Sequence, residues 1–225
     1  MSFDHECMAL ALRLARKGLT TTHPNPRVGC VISHGEDIVG EGWHRRAGGR
    51  HAEIHALEDA RGKTAGGTAY VTLEPCSYHG RTPPCTDALI DAGITRVVCA
   101  MQDPNPKVSG AGIKQLQDAG IDVQCGLMAE AAEMLNEGFV KRMRSGRPFV
   151  RVKLAHSTDG HIALANGVSQ LISGADARRD VQDWRARSYA ILTGVGTVLA
   201  DDPALNVRLD GHQGQQLRVV VDSHW

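Results

Sequence analysis

Residues 51 to 85 read HAEIHALEDARGKTAGGTAYVTLEPCSYHGRTPPC, and the reading of the whole chain turns on this run. A helix opens at about His51, just after Gly48-Gly49-Arg50, and runs to about Arg61. TAYVTLEP (68–75) follows as a buried strand, with Cys76 directly after its proline. Pro83-Pro84-Cys85 then opens a second helix. One imidazole and two thiolates are good ligands for a borderline-soft, tetrahedral ion such as Zn²⁺. A helix N-terminus lowers the pKa of a thiol and favours the thiolate that binds metal. Three protein ligands leave a fourth position open, which distinguishes a catalytic zinc from a closed structural one. Water held there ionises near neutral pH. Glu53, two residues beyond His51, is placed to move protons rather than to bind the ion.

Upstream, residues 4 to 17 read as an amphipathic helix, with Asp4 as N-cap and Cys7, Leu10, Ala11 and Leu14 on its apolar face. The loop Thr20-Thr21-Thr22-His23-Pro24-Asn25-Pro26 holds two prolines and is not helix. VGCVIS (28–33) and IVGEGWH (38–44) flank a turn and form a hairpin. Downstream, RVVCAM (96–101) and DVQCGL (122–127) are strands. GIKQLQDAG (112–120) is a helix ended by Gly120, and AEAAEMLNEGFVKRM (129–143) is one continuous helix. Strands and helices alternate, so residues 1–145 are expected to form an α/β domain with helices on both faces of the sheet. Ser145-Gly146-Arg147-Pro148 breaks the pattern. A second region, 146–225, holds FVRVKLAHS (149–157), a helix (175–188), a strand YAILTG (189–194), a short helical turn and a last strand LRVVVDS (217–223). It reads as the first part of a larger α/β domain, truncated after that strand.

Composition narrows the function classes. The formal net charge of +0 gives no broad electrostatic case for nucleic acid or an anionic membrane. An aromatic content of 4% argues against a stacking platform for single strands. The N-terminus carries charge through its apolar part and does not read as a signal peptide. No apolar run approaches the roughly 20 residues that span a bilayer. Six cysteines in 225 residues are too few for a disulfide scaffold. A cytoplasmic protein with no membrane partner is the expectation.

Taken singly, His51, Cys76 and Cys85 each have a plain structural reading as packed side chains. Their placement at the ends of three elements favours a metal site. A closed structural zinc would need a fourth strong ligand, which His55 or His79 could supply, and it would leave Glu53 without a role. His51-Ala52-Glu53-Ile54-His55 differs from the H-E-x-x-H of zinc proteases, because Glu53 stands one residue later and the cysteines would be unexplained.

The pattern resembles the zinc nucleobase deaminases, H-x-E followed by P-C and a second Cys. Their common spacing is P-C-x-x-C, whereas here eight residues separate Cys76 from Cys85. HAEIHAL with TLEPCSYHGRTPPC closely resembles the deaminase half of the bifunctional deaminase/reductase family of riboflavin biosynthesis, where the longer loop is the family's variant. THPNPRVGCVI (22–32), MQDPNPKVSGAGI (101–113) and KLAHSTDG (153–160) are also similar to it. The resemblance implies a cytidine-deaminase-like three-layer α/β/α domain followed by part of a dihydrofolate-reductase-like α/β domain. It implies a zinc-dependent hydrolase acting on 2,5-diamino-6-ribosylamino-4(3H)-pyrimidinone 5′-phosphate, whose 2-amino group leaves as ammonia. On that reading His51, Cys76 and Cys85 hold Zn²⁺ and Glu53 moves the protons. Asn25 is a candidate partner for the ring, and His44, Arg45, Arg46 and Arg81 are candidates for the 5′-phosphate. A turn role for Asn25 and solvated surface roles for the arginines are the plain alternatives.

For the second region the resemblance implies an oxidoreductase that uses NADPH to convert ribosyl to ribityl. Gly194-Val195-Gly196-Thr197 follows a strand and precedes a helix, but the third glycine of G-x-G-x-x-G is absent. By resemblance Ala155, Leu171, Thr197, Asp201 and Ser223 match cofactor positions. Lys153, Ser169, Arg185, Leu205 and Arg208 match substrate positions. Leu171 departs from the tryptophan expected there. Zinc deaminases often associate, so a homo-oligomer is expected. Two other classes stay open: a zinc-dependent RNA adenosine or cytidine deaminase, which charge and composition disfavour, and a non-enzymatic zinc-stabilised module.

Overall fold

The structure, a computed structural model, describes residues 2–80, 83–106, 108–168, 170–212, 214 and 216–224. It divides into two units, Met1–Phe149 and Val150–Trp225.

The first unit runs α1 (Phe3–Arg16), β1 (Gly29–His34), β2 (Asp37–Trp43), α2 (Ala52–Asp59), β3 (Thr68–Val71), α3 (Cys85–Asp91), β4 (Arg96–Cys99), α4 (Ala111–Asp118), β5 (Asp122–Cys125), α5 (Ala129–Leu135) and α6 (Glu137–Ser145). Its strands form one sheet in the order β2-β1-β3-β4-β5. The short turn between β1 and β2 makes them antiparallel, and β3 also runs antiparallel to β1. β3, β4 and β5 are parallel, because α3 and α4 carry the crossovers between them.

Side chains alternate across the pleat and divide the core in two. Val31, Tyr70 and Val98 face α1, α5 and α6, against Cys7, Met8, Ala11, Leu12, Ala132 and Val140. Cys30, Ile32, Ala69, Val71 and Val97 face α2, α3 and α4, against Ala52, Ala56, Leu89 and Leu116. The result is a three-layer α/β/α domain. Each fully buried Leu, Ile or Val in these layers contributes about 1.5–3 kcal/mol of transfer free energy.

Three local readings change. Asp4 does not cap α1. Ser2 holds the N-cap position, and Asp4 lies in the first turn with its carboxylate turned across the sheet. There it accepts hydrogen bonds from Tyr70 Oη at 2.7 Å and from both terminal nitrogens of Arg96, at 3.0 and 2.7 Å. The strand expected over 68–75 is regular only over Thr68–Val71; beyond it the Thr72 N–H still donates to the Gly29 carbonyl at 3.1 Å and the Glu74 N–H to the Met101 carbonyl at 2.9 Å as the chain runs on to the site. The helix expected over 129–143 is two helices, broken at Asn136, where φ is −116° and ψ is 22°.

Gly42 on β2 is a close approach. A Cβ there would stand 2.2 Å from the Ala52 carbonyl oxygen and 2.4 Å from the Ala56 nitrogen. The opening turn of α2 therefore lies directly on the backbone of β2, and this fixes where His51 enters the helix.

In the second unit α7 (Ala175–Arg187) is followed by β6 (Ala190–Gly194), α8 (Val195–Asp201) and β7 (Leu217–Val221). β6 and β7 pair in parallel, with Ala190 opposite Leu217 and Gly194 opposite Val221. Arg151 stacks its guanidinium 3.7 Å from the centroid of Trp184 on α7. Among the described residues, no helix of either unit is long and apolar enough to cross a membrane.

Candidate metal centre and active site

Three elements deliver the candidate ligands. His51 is the residue before α2, Cys76 follows the departing end of β3, and Cys85 is the first residue of α3. Their ligand atoms all lie within 4.8 Å of one another. His51 Nδ1 stands 3.2 Å from Cys85 Sγ and 3.5 Å from Cys76 Sγ, so Nδ1 is the imidazole nitrogen that faces both sulfurs. The Cys85 backbone N–H donates to Cys76 Sγ at 3.4 Å, and the Thr86 N–H donates to the Cys76 carbonyl at 3.2 Å. Neither His55 nor His79 joins the cluster. The donor set is the N/S set that suits zinc, with three ligands rather than four.

Protons are shared unequally across this cluster. The hydrogen bond from Cys85 holds the Cys76 thiol far below its ordinary range, at about 4, with His51 and the Cys85 N–H acting the same way. Cys85 is pushed up by the same bond and keeps its proton. His51 is raised, first by Cys76. Metal ligation needs thiolates and a neutral imidazole, so a cation entering this cluster would displace the protons that the three groups now share.

Glu53, in the first turn of α2, is 3% exposed. Burial pushes its carboxyl up, against the pull of His51. Its Oε2 is buried and has no hydrogen-bond partner among the described residues. An orphaned carboxylate oxygen beside three metal-type donors fits a centre in which a further group, such as water, takes the missing hydrogen bond.

Asn25 and His44 close one side. Asn25 Nδ2 stands 3.2 Å from His44 Nε2, while His44 Nδ1 stands 3.0 Å from the Arg50 carbonyl. The ring of His44 meets that of His51 edge-on, with centroids 5.5 Å apart. Burial pushes the His44 pKa down, so the ring is neutral, donating from Nδ1 and accepting at Nε2. His44, a candidate for the 5′-phosphate, has both ring nitrogens engaged by Asn25 and the Arg50 carbonyl. Its geometry is that of a prop between Asn25 and the metal ligand. Arg45 and Arg46 are exposed, and Arg45 lies over the Trp43 ring at 4.8 Å. Arg81 falls outside the described residues.

Sequence reading missed two groups. Glu74 is 3% exposed and accepts four backbone N–H groups. Its Oε2 takes those of Asp103 and Gly110, each at 3.0 Å, and Oε1 takes those of Gly112 at 2.9 Å and Ile113 at 3.3 Å. A Cβ at Gly112 would stand 2.0 Å from the Pro75 carbonyl, so the start of α4 lies directly against the residue before Cys76. Asp103, held on this loop, is pushed up to about 6 by burial, with Glu74 and Cys76 adding to the shift. The only sequence signals were the run LEPC and the dense turn residues of MQDPNPKVSGAGI.

In the second unit Thr197 lies on α8 beside the carboxyl end of β6, Asp201 ends that helix, and Ser223 lies just past β7. Because β6 and β7 are parallel, Thr197 and Ser223 fall at the same end of the sheet. Ala155 is half-buried in the stretch before α7, and Leu171 is 79% exposed. These positions do not by themselves enclose a dinucleotide. Arg185 donates to the Asn206 carbonyl at 3.1 Å, and its pKa is lowered by burial and then by nearby Arg208. Leu205, at φ 46°, precedes that carbonyl. The structure thus gathers Arg185, Leu205 and Arg208, while Lys153 is exposed and Ser169 lies outside the described residues.

Comparison with known proteins agrees with both halves. The family model described as the cytidine and deoxycytidylate deaminase zinc-binding region matches residues 1–101, and that of the RibD C-terminal domain matches residues 148–225. The riboflavin biosynthesis protein RibD of Escherichia coli is 59% identical over 98% of this chain. The chain belongs to the RibD family. A solved structure of Acinetobacter baumannii RibD superposes with a TM-score of 0.93 at 49% identity over 97% of the chain. A Thermotoga maritima structure named as a diaminohydroxyphosphoribosylaminopyrimidine deaminase/5-amino-6-(5-phosphoribosylamino)uracil reductase superposes with a TM-score of 0.92 at 43% identity over 98%. The chain spans 63% of the length of each of these three RibD relatives.

Proposed function

We propose that the first unit is a zinc-dependent hydrolytic deaminase acting on 2,5-diamino-6-ribosylamino-4(3H)-pyrimidinone 5′-phosphate in riboflavin biosynthesis. One observation carries the reading: the Oε2 of buried Glu53, without a partner among the described residues, beside the convergent donors of His51, Cys76 and Cys85. His51 Nδ1 and the two sulfurs would hold the ion. Zinc bound there supplies Lewis acidity, which makes water acidic enough to attack near neutral pH. Glu53 takes one proton of the attacking water and gives it to a ring nitrogen, then takes the proton of the added hydroxyl and passes it to the amine, which departs as ammonia. Its raised pKa suits both acceptance and return of a proton. Asn25 hydrogen-bonds the pyrimidine, and the neutral His44 ring orients it.

Residues 146–225 are proposed as the N-terminal part of the NADPH-dependent reductase domain, with Arg185 and Arg208 as the anion-binding pair for substrate. A homo-oligomer belongs to the same proposal. Neutral net charge disfavours an RNA substrate. The deciding experiment measures ammonia release from the diaminopyrimidine phosphate beside a transfer-RNA control. Release from the small substrate alone is expected. Release from RNA alone would move the protein to another deaminase class, and release from neither would reduce the site to a structural zinc module.

A further inference from the structure

We propose that Asn136 is a positioning residue of the candidate deaminase site, holding Asn25 in place through the backbone of Arg27. Asn136 is 0% exposed and stands at the junction of α5 and α6. Asparagine at the start of a helix ordinarily caps it, yet this side chain makes no cap bond to α6. It reaches instead to a residue 109 positions away. Oδ1 accepts the Arg27 backbone N–H at 2.8 Å, and Nδ2 donates to the Arg27 carbonyl at 3.0 Å. Nδ2 also lies 3.4 Å from the Ala132 carbonyl in α5. Both backbone groups of Arg27 are thus read by one amide, much as a neighbouring strand would read them.

Side chains also hold this loop, the Arg27 guanidinium through the Leu19 and Leu135 carbonyls at 3.1 and 3.4 Å and Arg142 through the Pro24 carbonyl at 3.1 Å, but its own backbone donors are few. Pro24 and Pro26 have no N–H to give. The Asn25 N–H is spent inside the loop, on the Thr22 carbonyl at 2.7 Å. The Arg27 N–H is therefore the loop's remaining backbone donor between His23 and Val28. One residue further on, the Val28 carbonyl accepts the His44 N–H at 2.9 Å. With Arg27 fixed, the Asn25 side chain is held 3.2 Å from His44 Nε2, and His44 meets the ring of the metal ligand His51. The break in the helix over 129–143 falls at the residue that makes this clamp.

The kinetic arm of the test rests on the deaminase reading, and the spectroscopic arm does not. In the full chain, Asn136→Ala should shift the His44 Nε2 nitrogen resonance in the same direction as Asn25→Ala does, because each frees that nitrogen of its donor. In ammonia release, Asn136→Ala should lower kcat/KM by about 10- to 100-fold in the native background. In an Asn25→Ala background it should cost less than about twofold, since the two act as one unit. Should Asn136→Ala not fold, Asn136→Asp, which keeps the acceptor for the Arg27 N–H and loses the donor to its carbonyl, is judged by the same criteria. A His44 resonance unmoved by the Asn136 variant, or losses in rate that simply multiply, would overturn the proposal. If the native chain releases no ammonia, the deaminase reading fails, and the His44 resonance still decides the role of Asn136.

Discussion

Replacing Glu74 by glutamine tests how the site is tied to the sheet. The substitution keeps volume and shape but turns one carboxylate oxygen into an NH₂ group. Each oxygen now accepts two backbone N–H groups. In either orientation of the new amide, two of the four N–H groups would face a donor instead of an acceptor. A buried donor left unsatisfied costs about 1–3 kcal/mol, so the clamp should weaken by about 2–6 kcal/mol. Against a domain stability of about 5–15 kcal/mol, that is a large local loss. Its effect concentrates where the bonds are, at Asp103, Gly110, Gly112 and Ile113, and passes to Cys76 through Pro75. Amide hydrogen exchange resolved by residue is the assay. At least 2 kcal/mol corresponds to exchange faster by about 30-fold or more at the amides that lose their acceptor. Zinc affinity should fall as well, because Pro75 and Cys76 lean on this loop. Wild-type exchange at all four amides would refute the reasoning and leave Glu74 as a passive buried group.

Other outcomes follow from the same geometry. The native chain should bind about one zinc, and Cys76→Ser should lose most of it, measured as metal per chain after dialysis; full occupancy in that variant would remove the site. Glu53→Gln should keep zinc and lose about 10²–10⁴-fold in ammonia release, because an amide cannot carry the proton; near-normal turnover would make Glu53 structural. Asp4 is lowered from 3.8 to about 2, chiefly by its hydrogen bond from Arg96, and Tyr70 acts the same way. A depressed carboxyl stabilises the fold above its unfolded pKa and loses that contribution as pH falls through the folded one. Asp4→Asn should thus unfold more easily by about 1 kcal/mol at neutral pH, and the gap should close between about pH 4 and pH 2. A gap that is flat across that window would mean the pair contributes nothing through charge.

The short apolar runs VGCVIS and TAYVTLEP and the breaks at Gly120 and Gly146 made strand and helix legible along the chain. They did so because a sheet covered by helices on both faces needs strands that are apolar throughout, and the covering helices show their own period. His51, Glu53, Cys76 and Cys85 were legible because metal ligands need particular atoms at the ends of elements, and the chain writes both the residue types and the spacing. What local pattern could not carry is the pairing of distant partners. Asp4 looked like a cap, since nothing near it in sequence announces Arg96, which lies across the sheet. Residues 129–143 looked like one helix, since the cost of breaking it at Asn136 is met by Arg27, far away in the chain. Glu74 looked like the end of a strand, whereas four backbone N–H groups from a later loop and the first turn of α4 converge on it. Propensity and periodicity are properties of neighbours in sequence. A buried hydrogen bond is satisfied by whichever group the fold brings within about 3 Å, and only the tertiary structure decides which group that is.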